Sequence, residues 1–271
     1  MATRPSPTDP PAATSVVAET APNALPAMKQ TIFRRHRQLE GWPLVFTILV
    51  TVGILVGGLV EFIPLVLVKD NVPRIASVKP FTPLEAVGRD LYIREGCVNC
   101  HSQMIRPFRA EIERYGDFTK AGETVYEHPF LWGSKRTGPD LQRIGGKYPN
   151  LWHVRHMEDP RSTNPQSIMP PYAWLLKDDL DFAVIPGRLR ALSRVGVPYT
   201  DAEIADAVAN AERQATAIAQ DVAAQGGPAG LERKEIVALV AYLQRMGTDV
   251  RTSQAPAGAT ATDVATPDSV H

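Results

Sequence analysis

The sequence predicts a mainly α-helical chain in two parts, one membrane-spanning helix near the N-terminus and a helical domain after it. Three observations carry this. Gly41 to Val60 is a run of 20 residues without a charge, enough at about 1.5 Å each to cross a hydrocarbon core of about 30 Å. Leu84 to Glu95 and Leu231 to Met246 place their apolar residues at helical spacing. The flanks of the only cysteine pair, Cys97 and Cys100, read as helix and not as a βαβ unit.

Bulk composition narrows little. The chain has 271 residues, room for one or two domains, and is 44% hydrophobic and 21% charged. Its formal net charge is zero, so nothing global points to nucleic acid.

Residues 1–27 are rich in Pro, Ala and Thr with almost no large apolar groups, and are expected to be a disordered tail. Composition changes at Met28, which is read as a candidate biological start. Residues 28–70 then form a cytoplasmic segment and anchor, 71–248 the main domain, and 249–271 a second disordered tail. Arg34, Arg35 and Arg37 precede the span and Trp42 stands at its entry, where an amphipathic ring suits the interface. A cleavable signal peptide fits poorly, because the apolar stretch is too long and no small-residue cleavage site follows. Basic residues before the span (Lys29, Arg34, Arg35, Arg37) slightly outnumber those soon after it (Lys69, Arg74, Lys79), which favours the N-terminus inside. Glu61 interrupts the apolar run, which resumes to Val68 with Pro64 expected to bend it. Such a carboxylate either is hydrated at headgroup level or meets a polar group of a membrane partner.

In the main domain the decisive stretch is Cys97-Val98-Asn99-Cys100-His101. Two thiols spaced by two residues with histidine directly after them are what covalent haem c attachment requires. Each thiol adds to a vinyl group and the imidazole reaches the iron. A four-cysteine zinc site has no second half here. The second axial ligand must come from far along the chain, since a neighbour of His101 would approach the same face. Met104 is therefore disfavoured, Met157 falls in a helical stretch and Met246 ends the last helix. Met169, in Ile168-Met169-Pro170-Pro171, follows His101 by 68 residues in a backbone stiffened by two prolines, and is the expected ligand. A core methionine is the plain alternative, and bis-histidine ligation through His153 or His156 is the rival, with a lower potential.

Gly88 and Tyr92 lie on a stripe of the first soluble helix, and Tyr242 is the expected aromatic partner of that glycine on the last one. Two terminal helices crossing around a central haem is the arrangement of small c-type cytochromes, a class the sequence resembles. Thr137-Gly138-Pro139-Asp140-Leu141, followed by Ile144-Gly145-Gly146, is similar to the loop in that class whose proline carbonyl accepts a hydrogen bond from the proximal imidazole. Ala202 to Gln225 reads as one helix with a narrow apolar face, expected on the surface.

The single span, together with Gly96–Gly116, His128–Tyr148 and Asn164–Leu175, resembles subunit II of cbb3-type cytochrome c oxidases over about residues 28–247. The resemblance implies a class I-like cytochrome c domain. It implies one covalent haem c on Cys97 and Cys100, axial ligands His101 and Met169, and Pro139 beside His101. It also implies partners: the haem-copper catalytic subunit I, a di-haem cytochrome c subunit III and the lipid of a bacterial inner membrane, with the haem domain periplasmic. Electrons would pass from the di-haem subunit to haem b of subunit I. The run Ser102–Arg109, with Arg106 and Arg109, would face the catalytic subunit. Alternatively these arginines bond haem propionates or are solvated. The residue pattern also fits a free-standing membrane-anchored cytochrome c, the small subunit of a nitric oxide reductase or a ligand-sensing haem domain.

Overall fold

The computed structural model describes residues 37–68 and 74–254. The expected N-terminal tail, the candidate start at Met28, the basic residues from Lys29 to Arg35, Lys69, and positions 255–271 lie outside the described residues. The chain divides into two compact units, Met1–Lys69 and Asp70–His271.

In the first unit, α1 runs Pro43–Leu67. Proline at its first position leaves no donor unsatisfied where none would be bonded, and the side chain of Thr47 donates to Pro43 O at 2.8 Å. The helix continues through Glu61 and Pro64. Its length and composition suffice to cross a membrane over Pro43–Leu65, with no part buried by protein. Apolar groups are exposed around its whole circumference, including Leu44, Ile54, Phe62 and Leu67, a pattern that belongs in lipid.

The second unit is helical, and among its described residues the only β pairing is an isolated antiparallel bridge between Asp179 and Lys234. Its helices are α2 (Pro83–Arg94), α3 (Arg109–Tyr115), α4 (Asn150–Glu158), α5 (Pro160–Thr163), α6 (Ile185–Arg194), α7 (Asp201–Ala205), α8 (Ala207–Ala224), α9 (Glu235–Arg245) and α10 (Thr248–Gln254). A capping box starts α2: Glu85 N donates to the Thr82 hydroxyl and Thr82 N to the Glu85 carboxylate.

The core is the crossing of α2 and α9. A Cβ on Gly88 would lie 1.9 Å from Ala238 O and 2.9 Å from the Tyr242 Cβ, so glycine is what lets the two backbones touch. Tyr242 is fully buried, with Phe81 and Tyr92 rings at 5.6 and 5.5 Å. The last helix begins at Glu235, later than Leu231. The preceding residues instead form a turn, in which Lys234 N donates to Leu231 O and Glu235 N to Asp178 O.

Two expectations are corrected here. The alanine-rich segment is not a surface helix: it breaks at Asp206, and α8 buries Ala207, Ala211, Ala215, Ala219 and Val222. Small side chains every four residues let this helix pack closely against its neighbours, and a narrow apolar face proved sufficient. Likewise the tail expected from residue 249 starts inside a helix. Gly247, at φ 72°, stops α9, and α10 follows at once, burying Val250.

Candidate cofactor site

After α2 the chain reverses at Gly96, whose φ is 73°, a left-handed conformation that suits glycine. A 3-10 turn over Cys97–Asn99 follows. Cys100 N and His101 N both donate to Cys97 O, at 3.1 and 2.9 Å, which holds the two cysteines and the histidine on one tight coil. Cys97 is buried and Cys100 exposed, both as free thiols. Burial pushes the Cys97 thiol up to about 12, with the Glu95 charge adding to it. That is the opposite of what a redox dithiol or a thiolate metal site needs. Among the described residues no group of three or more His, Cys, Asp and Glu could hold a metal ion.

His101 is fixed from the far side. Its Nδ1 donates to Pro139 O at 2.8 Å, an oxygen that can only accept, so the proton sits on Nδ1 and the lone pair on Nε2. Burial lowers the basicity of the imidazole, opposed by the Pro139 carbonyl and the Asp140 charge, which keeps the ring neutral and able to bind a metal. A Cβ on Gly138 would fall 2.2 Å from His101 Cε1, so the loop lies flat on the ring. The loop is tied to the attachment turn by Gly138 N to Cys100 O at 3.0 Å and Leu141 N to Ser102 O at 2.9 Å.

A polar network that sequence reasoning missed braces this arrangement. Asp140 accepts from the Ser102 hydroxyl at 2.6 Å, Met104 N at 2.9 Å and Gln142 N at 2.9 Å. Arg136 donates to the Ser102 hydroxyl at 2.7 Å, Met104 O at 2.9 Å and Glu111 at 2.7 Å. Arg136 and Arg106 together hold the Glu111 carboxyl down to about 2. The only sequence signal was the aspartate after Gly138-Pro139. Arg106 is thus paired with Glu111, while Arg109 is exposed and meets Glu113 at 2.6 Å along α3.

The methionines separate by environment. Met104 has both backbone groups engaged by Asp140 and Arg136, on the Pro139 side of the turn. Met157 and Met246 are buried core residues. Met169 is only partly buried and packs against the core, its N–H donating to the Ser167 hydroxyl at 3.2 Å. The chain after it is drawn to the attachment turn. Tyr172 N donates to Met157 O at 2.7 Å, Trp174 Nε1 donates to Glu95, two residues before Cys97, at 3.0 Å, and burial raises the Tyr172 hydroxyl. So a segment some seventy residues downstream in sequence is brought to the cysteines.

The two histidines of α4 are held differently. His156 Nδ1 lies 2.6 Å from the Thr163 hydroxyl, and its ring stacks on Trp152 at 4.6 Å, which stacks on Tyr148 at 4.0 Å. Burial and the nearby His101 lower its basicity. His153 is buried with no hydrogen bond to Nε2, and burial brings it down to about 4.

These residues fit a covalently held haem. The thiols are free, the His101 imidazole leaves Nε2 available, and Gly138 leaves the ring in place only because it has no side chain.

The sequence model of one family, described as cytochrome C oxidase, mono-heme subunit/FixO, matches residues 36–250. No curated protein matches the chain.

Proposed function

The chain belongs to the FixO family of cytochrome c oxidase mono-haem subunits, and from that premise we propose that it is the electron-carrying subunit of a cbb3-type oxidase in a bacterial inner membrane. Membership makes it part of an oxidoreductase complex with partner subunits. In this reading Cys97 and Cys100 would hold one haem c through thioether bonds, and His101 and Met169 would bind its iron. When bound, the haem supplies a one-electron couple with no open coordination position, so this chain transfers electrons and does not itself reduce oxygen.

The protein's part is orientation. Pro139 O fixes the His101 tautomer and ring plane, which strengthens donation from Nε2. The Asp140–Arg136–Ser102 network keeps the loop from shifting. Electrons enter from a di-haem cytochrome c subunit and leave to haem b of the haem-copper subunit, with α1 as the single-pass anchor, the N-terminus cytoplasmic and the haem domain periplasmic. The observation that carries this reading is the Cys97–His101 turn closed over by Gly138 and Pro139.

The test is purification of the detergent-solubilised native complex through a tag on this chain, with reduced-minus-oxidised spectra of everything retained. Haem b and additional haem c with oxygen consumption are expected. A lone chain carrying one haem c would instead make it a free-standing anchored carrier, and nitric oxide reduction in preference to oxygen would make it a reductase subunit.

A further inference from the structure

A second buried polar centre lies against α2, one residue past the glycine of the α2–α9 crossing. Arg89 of α2 and Glu127 are both nearly inaccessible, 3% and 6% exposed. Arg89 spends its terminal nitrogens on the carbonyls of His128 and Pro129. Its Nε then lies 3.6 Å from Glu127 Oε2, beyond hydrogen-bond distance, and both atoms are buried without a hydrogen bond. A buried carboxylate whose only counter-charge is stretched in this way is costly to keep ionised.

Glu127 also lines a cavity of about 40 Å³, together with Glu123, Gln142 and Arg245. That space exceeds the roughly 10–15 Å³ one water requires. Gln142 Oε1 is a second buried oxygen there with no hydrogen bond. The cavity wall mixes these polar groups with Val78, Phe81 and Met246, so water in it stands next to the buried Glu127 side chain.

Glu123 and Arg245, which share this cavity with Glu127, are already paired, and Lys79 also lines it. Glu123, on the same turn, is held by Arg143 at 2.6 and 2.8 Å and by the Gln142 amide at 3.1 Å. Arg245 of α9 pairs with Asp249 of α10 and, at 3.4 Å, with Glu85 of α2. Lys79 donates its backbone N–H to Asp249 at 3.0 Å. The tyrosines facing the centre, Tyr92 and Tyr242, are held protonated by burial. Burial, partly offset by Arg89, pushes the Glu127 carboxyl up to about 7; the other titratable groups at this centre are Glu85, also raised by burial, and the imidazole of His128, whose carbonyl accepts from Arg89.

The centre is electrostatically joined to the cofactor site. The Tyr242 hydroxyl exchanges hydrogen bonds with the Gln103 amide at 3.0 and 3.1 Å, two residues beyond His101. Tyr92, whose ring packs on Tyr242 at 5.5 Å, lies in the same cluster. Tyr92, Gln103 and Tyr242 are buried, and a unit charge among buried groups is less screened than in water.

We propose that Glu127 is a proton-binding site coupled to electron transfer, supplied with protons by water in the cavity it shares with Glu123, Gln142 and Arg245. This rests on the haem assignment above. When the site gains one electron from the donor haem subunit, the Glu127 carboxylate binds a proton more tightly: a hydronium ion of bulk solvent passes its proton through cavity water to the carboxylate, forming an O–H bond, leaving neutral water and offsetting part of the added charge. On electron loss that bond breaks and the proton returns to solvent. The proton affinity of Glu127 then differs by about threefold to tenfold between the two redox states, the range unit charges produce across a protein interior at an effective dielectric of about 20.

The experiment is an equilibrium redox titration of haem c in the purified complex, from about pH 5 to about pH 9, in the native protein and in Glu127→Gln. The native potential should fall with rising pH through about pH 7 and then level, and Glu127→Gln should show no such step. A native potential independent of pH, or the same step in the variant, overturns the proposal. A preparation without a haem c spectrum would instead overturn the haem assignment. Should Glu127→Gln fail to assemble, reduced-minus-oxidised infrared spectra decide. A protonated-carboxyl band that moves in Glu127→Asp supports the coupling, and its absence from the native protein ends it.

Discussion

Gly138 stands so close over His101 that a single added carbon would sit 2.2 Å from Cε1 and 2.7 Å from Nδ1 of the imidazole. The hydrogen bond from Nδ1 to Pro139 O at 2.8 Å depends on this contact, because the carbonyl next in the chain can reach the ring only if nothing separates them.

Gly138→Ala should therefore displace the ring from Pro139 O at a stability cost of roughly 1–3 kcal/mol, the usual cost of overpacking. The accompanying loss of imidazole basicity should shift the haem c potential and absorption. Redox titration with visible spectra checks this. An unchanged potential and spectrum would remove Pro139 from the site.

Met169→His should lower the potential of the haem relative to the native protein, since histidine in place of methionine favours the oxidised iron. Met169→Ala should open one coordination position and let the reduced protein bind carbon monoxide. If neither substitution changes spectrum or ligand binding, while the corresponding change at His156 does, the distal ligand is on α4.

Gly88→Ala tests the helix crossing. The new methyl would lie 1.9 Å from Ala238 O, a backbone atom that cannot swing aside, so α2 and α9 must separate and uncover Tyr242. We expect destabilisation of at least about 3 kcal/mol, at the upper end of overpacking costs, read as a lowered denaturation midpoint. A native-like midpoint would mean the crossing is loose.

His153 predicts acid lability. Burial holds it at about 4 in the folded chain, against 6.5 ordinarily, so the folded state lacks a proton that the unfolded chain binds. Its contribution is present above about pH 6.5 and is lost as pH falls toward about 4, in total roughly 3 kcal/mol. His153→Gln should flatten the melting temperature against pH in that window. An unchanged slope would assign the lability elsewhere.

The sequence by itself determined whatever is encoded by near neighbours. The tight turn of Cys97, Cys100 and His101 is legible because its three side chains lie within five residues. The α1 span is legible because lipid demands an uninterrupted apolar run, and the α2–α9 contact because a glycine and an aromatic fell on matching stripes. The tertiary structure decided what depends on neighbours far along the chain. The face of α8 that is buried follows from how closely small alanines let neighbouring helices approach, which its own periodicity does not reveal. The helix after Gly247 exists because Val250 finds a place in the core. Arg136, Glu111 and Asp140 become one network, and Arg89 and Glu127 one buried pair, only when segments 25 to 39 residues apart meet away from water. There an unpaired charge is expensive, and the fold dictates which groups have partners.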